Sequence, residues 1–160
     1  MTRIATQILG VGSPILADDG AGVAVVRRLG ELGVPGRVTL TEGGAGGLSL
    51  LDMIQEVERL VVVDAMATGA APGTIREFAP DEMDAAPTCH LSSVHGGGFL
   101  DALALREKLL GRRIAEVRII GIEAGDLTSF SESLTPVVAE AVEQVARCLR
   151  REILTNRDET

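Results

Sequence analysis

The chain alternates short runs of branched aliphatic residues with segments of helical periodicity, and this alternation restricts the possible folds more than any other feature. The four strongest runs are each bounded by turn residues: Ile4–Val11, Val38–Thr41, Leu60–Asp64 and Val117–Ile122. Runs of this length and composition predict strands that are mostly buried on both faces. A weaker run, Thr74–Phe78, predicts a fifth strand near an edge of the sheet.

Apolar residues recur at helical spacing between and after these runs. The last helix is the clearest, because Thr135 suits an N-cap, Pro136 suits the first helical position, and an apolar stripe follows. Strand–helix alternation predicts right-handed crossovers. We therefore expect an α/β fold: one domain with a mainly parallel, twisted sheet of about five strands and helices on both faces. The domain is expected to occupy residues 1–154, with a flexible C-terminal tail at 155–160.

Composition limits the partners of such a domain. The chain has 160 residues, of which 46% are hydrophobic, so it can bury a core without disulfides. A formal net charge of −8 opposes binding to nucleic acid, and an aromatic content of 2% opposes base stacking. Cys89 and Cys148 match no secreted disulfide scaffold, and no signal peptide or membrane-spanning run is apparent. We expect a cytoplasmic protein with no nucleic-acid partner and no membrane partner.

The first strand leads through Gly10 and Gly12 into a helix that begins beside Asp18 and Asp19. A glycine turn between a strand and a helix typically holds a phosphate. Here Ile15 occupies the position of the third glycine in the dinucleotide-binding fingerprint. Two adjacent carboxylates would also repel a pyrophosphate. The turn therefore predicts a site for a cation, and a metal is the natural candidate.

Acidic side chains follow or end four predicted strands: Asp19, Glu42, Asp64 and Glu123. The carboxyl ends of parallel strands share one edge of the sheet, where ligands bind, so these residues predict an acidic crevice. His95 precedes a helical segment and adds an imidazole. Two carboxylates and an imidazole can bind a borderline divalent metal and leave coordination positions open.

Each of these residues also has an ordinary structural explanation. Aspartate is a favoured helix cap, which is the preferred interpretation for Asp18, whereas a functional role is preferred for Asp19. A single aspartate such as Asp64 more often terminates a strand, and His95 alone would be a capping or surface histidine. The glycine-rich loop after the second strand is either a plain loop or a backbone surface open to a peptide.

Seven motifs occur in order along nearly the whole chain: Leu9–Val23, Glu42–Gly46, Val63–Ala65, Pro72–Thr74, Ser93–His95, Gly121–Glu123 and Leu134–Val137. Together they resemble the motifs of the hydrogenase maturation proteases. These endopeptidases trim the C-terminus of the [NiFe] hydrogenase large subunit after nickel has been inserted.

The resemblance implies a substrate and a site. The substrate is the nickel-loaded precursor of a large subunit, cleaved after a C-terminal metal-binding cysteine motif by a protease expected to be a monomer. Nickel is carried by the substrate and is not a permanent cofactor. The nickel-sensing ligands, which are also the catalytic residues, fall on Asp19, Asp64 and His95. Substrate recognition falls on the loop after the second strand, at Glu42, Gly43 and Gly44.

The resemblance leaves the activation of water open. The metal could polarise the scissile carbonyl or activate a water molecule. Alternatively, it could only dock the peptide while a carboxylate acts as the base.

A nucleotide- or metal-binding module without peptidase activity is the alternative function. Glu42 could take the place of the ribose-binding acid of a dinucleotide fold. The adjacent carboxylates Asp18 and Asp19 and the missing third glycine oppose this hypothesis. Thermal stabilisation by NAD or ATP, compared with nickel, cadmium or zinc, separates the two functions.

Overall fold

A computed structural model describes residues 5–44, 47–85 and 98–155 of the chain. Within these residues, five strands form one sheet in the order β2-β1-β3-β5-β4. Only β4, at one edge, runs antiparallel to its neighbour. The predicted fold class is confirmed, and so is the edge position of the fifth strand. The strands are β1 (Thr6–Gly10), β2 (Val38–Glu42), β3 (Arg59–Met66), β4 (Ile75–Phe78) and β5 (Glu116–Glu123).

The described residues include four α-helices: α1 (Ala21–Leu32), α2 (Pro80–Ala85), α3 (Gly98–Leu110) and α4 (Pro136–Thr155). Two 3-10 helices, Ala17–Gly20 and Gly47–Met53, precede α1 and β3 respectively. The second lies between β2 and β3, where the apolar residues Leu48, Leu51 and Ile54 at helical spacing predict a helix. The short helix α2 was not predicted, because its six residues are too few to show an apolar period. Among the described helices, none is both long and apolar enough to cross a membrane.

Helix α4 continues through Thr155, which the sequence analysis assigned to the tail. The Thr155 hydroxyl donates a hydrogen bond to the carbonyl of Arg151 at 2.8 Å, one helical turn earlier. Residues 156–160 of the predicted tail lie outside the described residues, so the domain boundary stays a prediction.

The sheet is apolar on both faces. In β3, Val61, Val63 and Ala65 face α1 and α4. Leu60, Val62 and Met66 of the same strand pack with residues of the second 3-10 helix and α3 on the opposite face. Burying an aliphatic side chain of this size stabilises a fold by roughly 1.5–3 kcal/mol, so the two layers supply the main driving force for folding.

Two glycines allow α1 to contact the sheet through its backbone. A Cβ atom on Gly22 would lie 2.1 Å from the carbonyl oxygen of Val63 and 2.6 Å from that of Val11. A Cβ atom on Gly10 would lie 2.2 Å from the carbonyl oxygen of Gly22. This contact brings the start of α1, and the 3-10 helix before it, against the carboxyl ends of β1 and β3.

Candidate active site

The strand order places a topological switch point between β1 and β3. From β1 the chain crosses to β2 on one side, and it then returns to β3 on the other side. In open sheets of this type, ligands bind in the crevice outside the carboxyl ends of the strands at such a point. Asp19 follows β1 and Asp64 lies on β3, so the two strands that flank the crevice supply both carboxylates.

Asp64 is fully buried and lies inside β3. Strand β1 ends at Gly10, which pairs with Val63, so Asp64 is the first residue of β3 beyond that end. The prediction that Asp64 ends the strand is wrong, because β3 continues to Met66 through its pairing with β5. The Asp64 Oδ1 atom accepts a hydrogen bond from the backbone N–H of Ala65 at 2.8 Å. A carboxylate with no exposed surface at a strand interior carries a large desolvation penalty, so a strand-terminating role does not explain it.

Asp19 lies on the 3-10 helix Ala17–Gly20, which contacts β3. Its side chain is buried, with 6% of its surface exposed, and Oδ2 accepts the backbone N–H of Ser13 at 2.8 Å. Ala17, two residues earlier, has a φ of 46°, a left-handed conformation that favours glycine. Such a residue costs on the order of 1–3 kcal/mol and persists only where its surroundings hold it in place. The backbone that presents Asp19 is therefore strained.

Asp18 does not cap the helix that it precedes, and the preferred interpretation of this residue is wrong in that respect. Its fully buried carboxylate accepts four hydrogen bonds from the segment between β5 and α4. Oδ2 accepts the backbone N–H groups of Gly125 and Asp126, each at 2.9 Å, and the hydroxyl of Thr135 at 2.8 Å. Oδ1 accepts the backbone N–H of Thr135 at 2.7 Å. Asp18 therefore connects the turn of Asp19 to the start of α4.

The segment that Asp18 contacts is itself ordered by a carboxylate. Hydrogen bonds from the side chain of Ser129 and from the backbone N–H groups of Thr128 and Ser129 lower the pKa of Asp126 to about 2. These three donors therefore favour the ionised carboxylate of Asp126. The sequence predicted Thr135 only as a helix cap and gave no role to Asp126, because hydrogen bonds across such a segment leave no periodic pattern.

Glu123 ends β5 as predicted, but both of its oxygens are engaged by the loop that follows β3. Oε1 accepts the backbone N–H groups of Thr68 at 2.9 Å and Gly69 at 3.1 Å. Oε2 accepts the hydroxyl of Thr68 at 2.7 Å. With 3% of its surface exposed, Glu123 holds this loop and is not an open member of the predicted acidic crevice.

The end of β2 and the loop after it contain the predicted recognition residues, because β2 extends one residue beyond its predicted end and includes Glu42. Glu42 forms an ion pair with Arg27 of α1, with distances of 2.9 and 3.0 Å between Glu42 Oε1 and Arg27 Nε and between Glu42 Oε2 and Arg27 Nη2. Gly43 is buried, and a Cβ there would lie 3.0 Å from the side chain of Leu50, so close packing explains this glycine. Gly44 is exposed, and a Cβ there would meet no described atom within 4 Å. Packing therefore does not explain Gly44.

His95 lies outside the described residues, and the predicted convergence of Asp19, Asp64 and His95 stays a prediction. Across 5–44, 47–85 and 98–155, no three His, Cys, Asp or Glu side chains are grouped so as to hold a metal ion. The described chain offers two buried carboxylates beside the switch point. These can serve as oxygen ligands for a divalent metal or as a general base.

Comparison with known proteins points to one group. A sequence profile of a family described as hydrogenase maturation protease matches residues 23–152. The chain is 35% identical over 137 residues to the hydrogenase expression/formation protein HupD of Rhodobacter capsulatus, covering 85% of this chain and 65% of HupD. It is also 35% identical over 148 residues to HoxM of Azotobacter vinelandii, covering 92% of this chain and 71% of HoxM. The chain thus spans just under two thirds of HupD.

Solved structures extend this similarity to the fold. The [NiFe] hydrogenase maturation protease HybD from Thermococcus kodakarensis matches with a TM-score of 0.75 and 25% identity, covering 94% of this chain and 99% of that one. The hydrogenase maturating endopeptidase HybD from E. coli matches with a TM-score of 0.70 and 26% identity, covering 93% and 94% of the two chains. The similarity therefore extends over more than nine tenths of the chain.

Proposed function

Since the chain belongs to the hydrogenase maturation protease family, as its motifs predicted, we propose that it is a processing endopeptidase. Its substrate is the nickel-loaded precursor of a [NiFe] hydrogenase large subunit, from which it removes a C-terminal peptide. The observation that carries this proposal is the burial of Asp64 and Asp19, with 0% and 6% of their surfaces exposed, on the two flanks of the switch point. A buried carboxylate must be compensated by hydrogen bonds, a charge partner or a bound cation, and buried carboxylates in a crevice are candidates for a functional site.

In this proposal, Asp19, Asp64 and His95 bind the nickel ion that the substrate already holds through its cysteine thiolates. Two carboxylates and one imidazole form an incomplete ligand set, and the thiolates complete it. Cleavage then requires both partners, because neither the protease nor the nickel-free precursor has a full coordination sphere. The enzyme thereby confirms that nickel insertion is finished before the peptide is removed.

Hydrolysis adds water across the scissile peptide bond. The water oxygen bonds to the carbonyl carbon, the carbon–nitrogen bond breaks, and the amine leaves with a proton. Nickel can act as a Lewis acid on the carbonyl or on the water. In the second route a carboxylate of the pair takes the proton from the water, and nickel only docks the substrate. Two buried carboxylates are compatible with both routes.

The nickel-loaded precursor should be cleaved, and the nickel-free precursor and generic peptides should not. The reason is that only the loaded precursor brings the metal together with its remaining ligands. The measurement is the mass of the large subunit after incubation with the protease, before and after nickel loading. Equal cleavage of both precursor forms would refute the nickel-sensing role and indicate an ordinary protease.

We extend the proposal to the loop at Glu42, Gly43 and Gly44, which we assign to recognition of the precursor. Both partners of the Arg27–Glu42 pair are about half exposed, with side-chain exposures of 55% and 46%. An exposed pair of this kind can exchange its partner for a basic group of the substrate, because exposed ion pairs hold their geometry weakly.

Replacing the Glu42 charge should raise KM for the loaded precursor with little change in kcat. For Glu42→Gln we expect a rise of about tenfold, the effect of losing one charge-assisted hydrogen bond. Arg27→Gln is the matched control, because it breaks the same ion pair and keeps the Glu42 carboxylate. If both variants raise KM equally, Glu42 acts through Arg27 and has no recognition role.

We also propose that the protein acts in the cytoplasm as a monomer. Two widely separated cysteines and a formal net charge of −8, which opposes self-association, support this proposal. The alternative function, a nucleotide- or metal-binding module without peptidase activity, is not supported by the family match. Binding of NAD or ATP with thermal stabilisation, without cleavage of the loaded precursor, would favour it.

A further inference from the structure

We infer that Asp18 is a positioning residue for Asp19, and this inference rests on the proposed function. The Asp18 carboxylate attaches the 3-10 helix Ala17–Gly20 to the segment between β5 and α4. Asp19 is the next residue of that four-residue helix. The position of one carboxylate therefore fixes the backbone that presents the other.

The attachment involves the main chain as well as the side chain. The backbone N–H of Ala17 donates to the carbonyl of Ser131 at 2.8 Å, and that of Asp18 donates to the carbonyl of Asp126 at 2.9 Å. The N–H of Ser131 donates in turn to the carbonyl of Ile15 at 3.0 Å. The Asp18 carboxylate adds its hydrogen bonds to Gly125, Asp126 and Thr135 to these main-chain bonds. The turn is therefore attached to this segment by main-chain and side-chain bonds, in addition to the bond that Asp19 makes with the Ser13 amide.

The strain at Ala17 explains why such an attachment is needed. A φ of 46° at a non-glycine residue relaxes when the surrounding contacts are weakened. Relaxation at Ala17 rotates the backbone two residues before Asp19 and shifts its carboxylate relative to Asp64. A displacement of about 1 Å at a reacting group can lower a rate by on the order of 100-fold.

The hydrogen-bond pattern requires a carboxylate at residue 18. Backbone N–H groups point at both oxygens, with Thr135 on Oδ1 and Gly125 and Asp126 on Oδ2. An asparagine at residue 18 would carry its NH₂ group in place of either Oδ1 or Oδ2. In both orientations this group would face backbone N–H donors. At least one buried backbone N–H then loses its acceptor.

Thr135 offers a milder way to weaken the same attachment, because its hydroxyl donates to Asp18 Oδ2 at 2.8 Å. Thr135→Val removes that donor, and Thr135→Ser restores it. Thr68→Val is the matched control. It removes a hydroxyl that donates to Glu123 at 2.7 Å, and Glu123 is another buried carboxylate at the same edge of the sheet. Among the described contacts, Glu123 forms no bond to the turn of Asp19.

The first measurement is processing of the nickel-loaded precursor at a temperature at which every variant is folded. For Thr135→Val we expect kcat to fall about tenfold with KM within about twofold of wild type, and for Asp18→Asn a loss of about 100-fold. Thr135→Ser should recover wild-type kcat, and Thr68→Val should keep it. Wild-type kcat in Thr135→Val, or an equal fall in Thr68→Val, would overturn the positioning role.

The second measurement does not depend on the proposed function. The Ser13 amide is bonded to Asp19 Oδ2, so its hydrogen exchange reports the position of that carboxylate. Exchange should be about tenfold faster in Thr135→Val and unchanged in Thr68→Val and Thr135→Ser. If the wild-type protein fails to cleave the precursor, the proposed function is wrong, and this comparison still decides the positioning role. Unchanged Ser13 exchange in Thr135→Val would refute it.

Discussion

Asp64→Asn is expected to abolish cleavage of the nickel-loaded precursor and to leave the fold largely intact. Asparagine has the same shape as aspartate, and its amide oxygen can still accept the N–H of Ala65, which Asp64 Oδ1 accepts at 2.8 Å. The substitution removes a charge from a fully buried position and relieves its desolvation, so stability should change little. Attraction for a cation is lost with that charge.

The expected loss of rate is at least about 100-fold, the scale seen when one preorganised electrostatic contact is removed from an active site. Mass spectrometry of the large subunit follows cleavage, and thermal unfolding follows the fold. Glu123→Gln is the matched control, because Glu123 is a buried carboxylate at the same edge whose oxygens hold Thr68 and Gly69. It should lower stability and keep cleavage below the melting temperature. A wild-type rate in Asp64→Asn would leave Asp64 a structural residue only.

Gly22→Ala is expected to destabilise the whole domain. The added Cβ would lie 2.1 Å from the carbonyl oxygen of Val63 and 2.6 Å from that of Val11. Both are backbone atoms, and the Val63 carbonyl accepts the N–H of Val11 at 3.0 Å, so neither can move away without disturbing the junction of β1 and β3. Overpacking of this kind costs about 3 kcal/mol or more, a large share of the stability of a typical domain.

For a domain of this size, such a loss lowers the melting temperature by about 10 °C. The control is Gly30→Ala, the same substitution in the same helix. Gly30 is exposed, and its Cβ would lie 3.8 Å from a Leu40 methyl group, an ordinary contact. Because glycine inside a helix is less favourable than alanine, Gly30→Ala should stabilise the protein by roughly 0.5–1 kcal/mol. Equal melting temperatures for the two variants would show that α1 does not rest on the sheet through Gly22.

The strands could be predicted because their information is local. A run such as Leu60–Asp64 has the length and branching of a buried strand wherever it occurs, and even the weak run at Thr74–Phe78 forms the edge strand β4. The end of β3 could not be predicted in this way. It depends on pairing with β5, which extends β3 past Asp64 to Met66.

The same distinction between local and tertiary information applies to the candidate site. Its carboxylates could be assigned to one edge of the sheet, because the carboxyl ends of parallel strands meet there. Their individual roles could not be assigned, because hydrogen-bond partners are set by tertiary contacts. Glu123 has the sequence context of an active-site acid, yet its oxygens bond to a loop 54 and 55 residues earlier. Asp18 and Asp19 are neighbours in sequence, and the structure gives them different partners.

The contacts of Asp18 also have a kinetic consequence for how the protein becomes active. Its hydrogen-bond donors lie 107–117 residues further along the chain. Contacts of such long sequence separation close late in folding, after the loss of chain entropy has been offset by other contacts. A chain emerging from the ribosome can form β1, α1 and β2 before Thr135 has been synthesised. The turn that presents Asp19 is held only once the segment between β5 and α4 has docked on it. The proposed protease therefore has no competent site while its fold is incomplete.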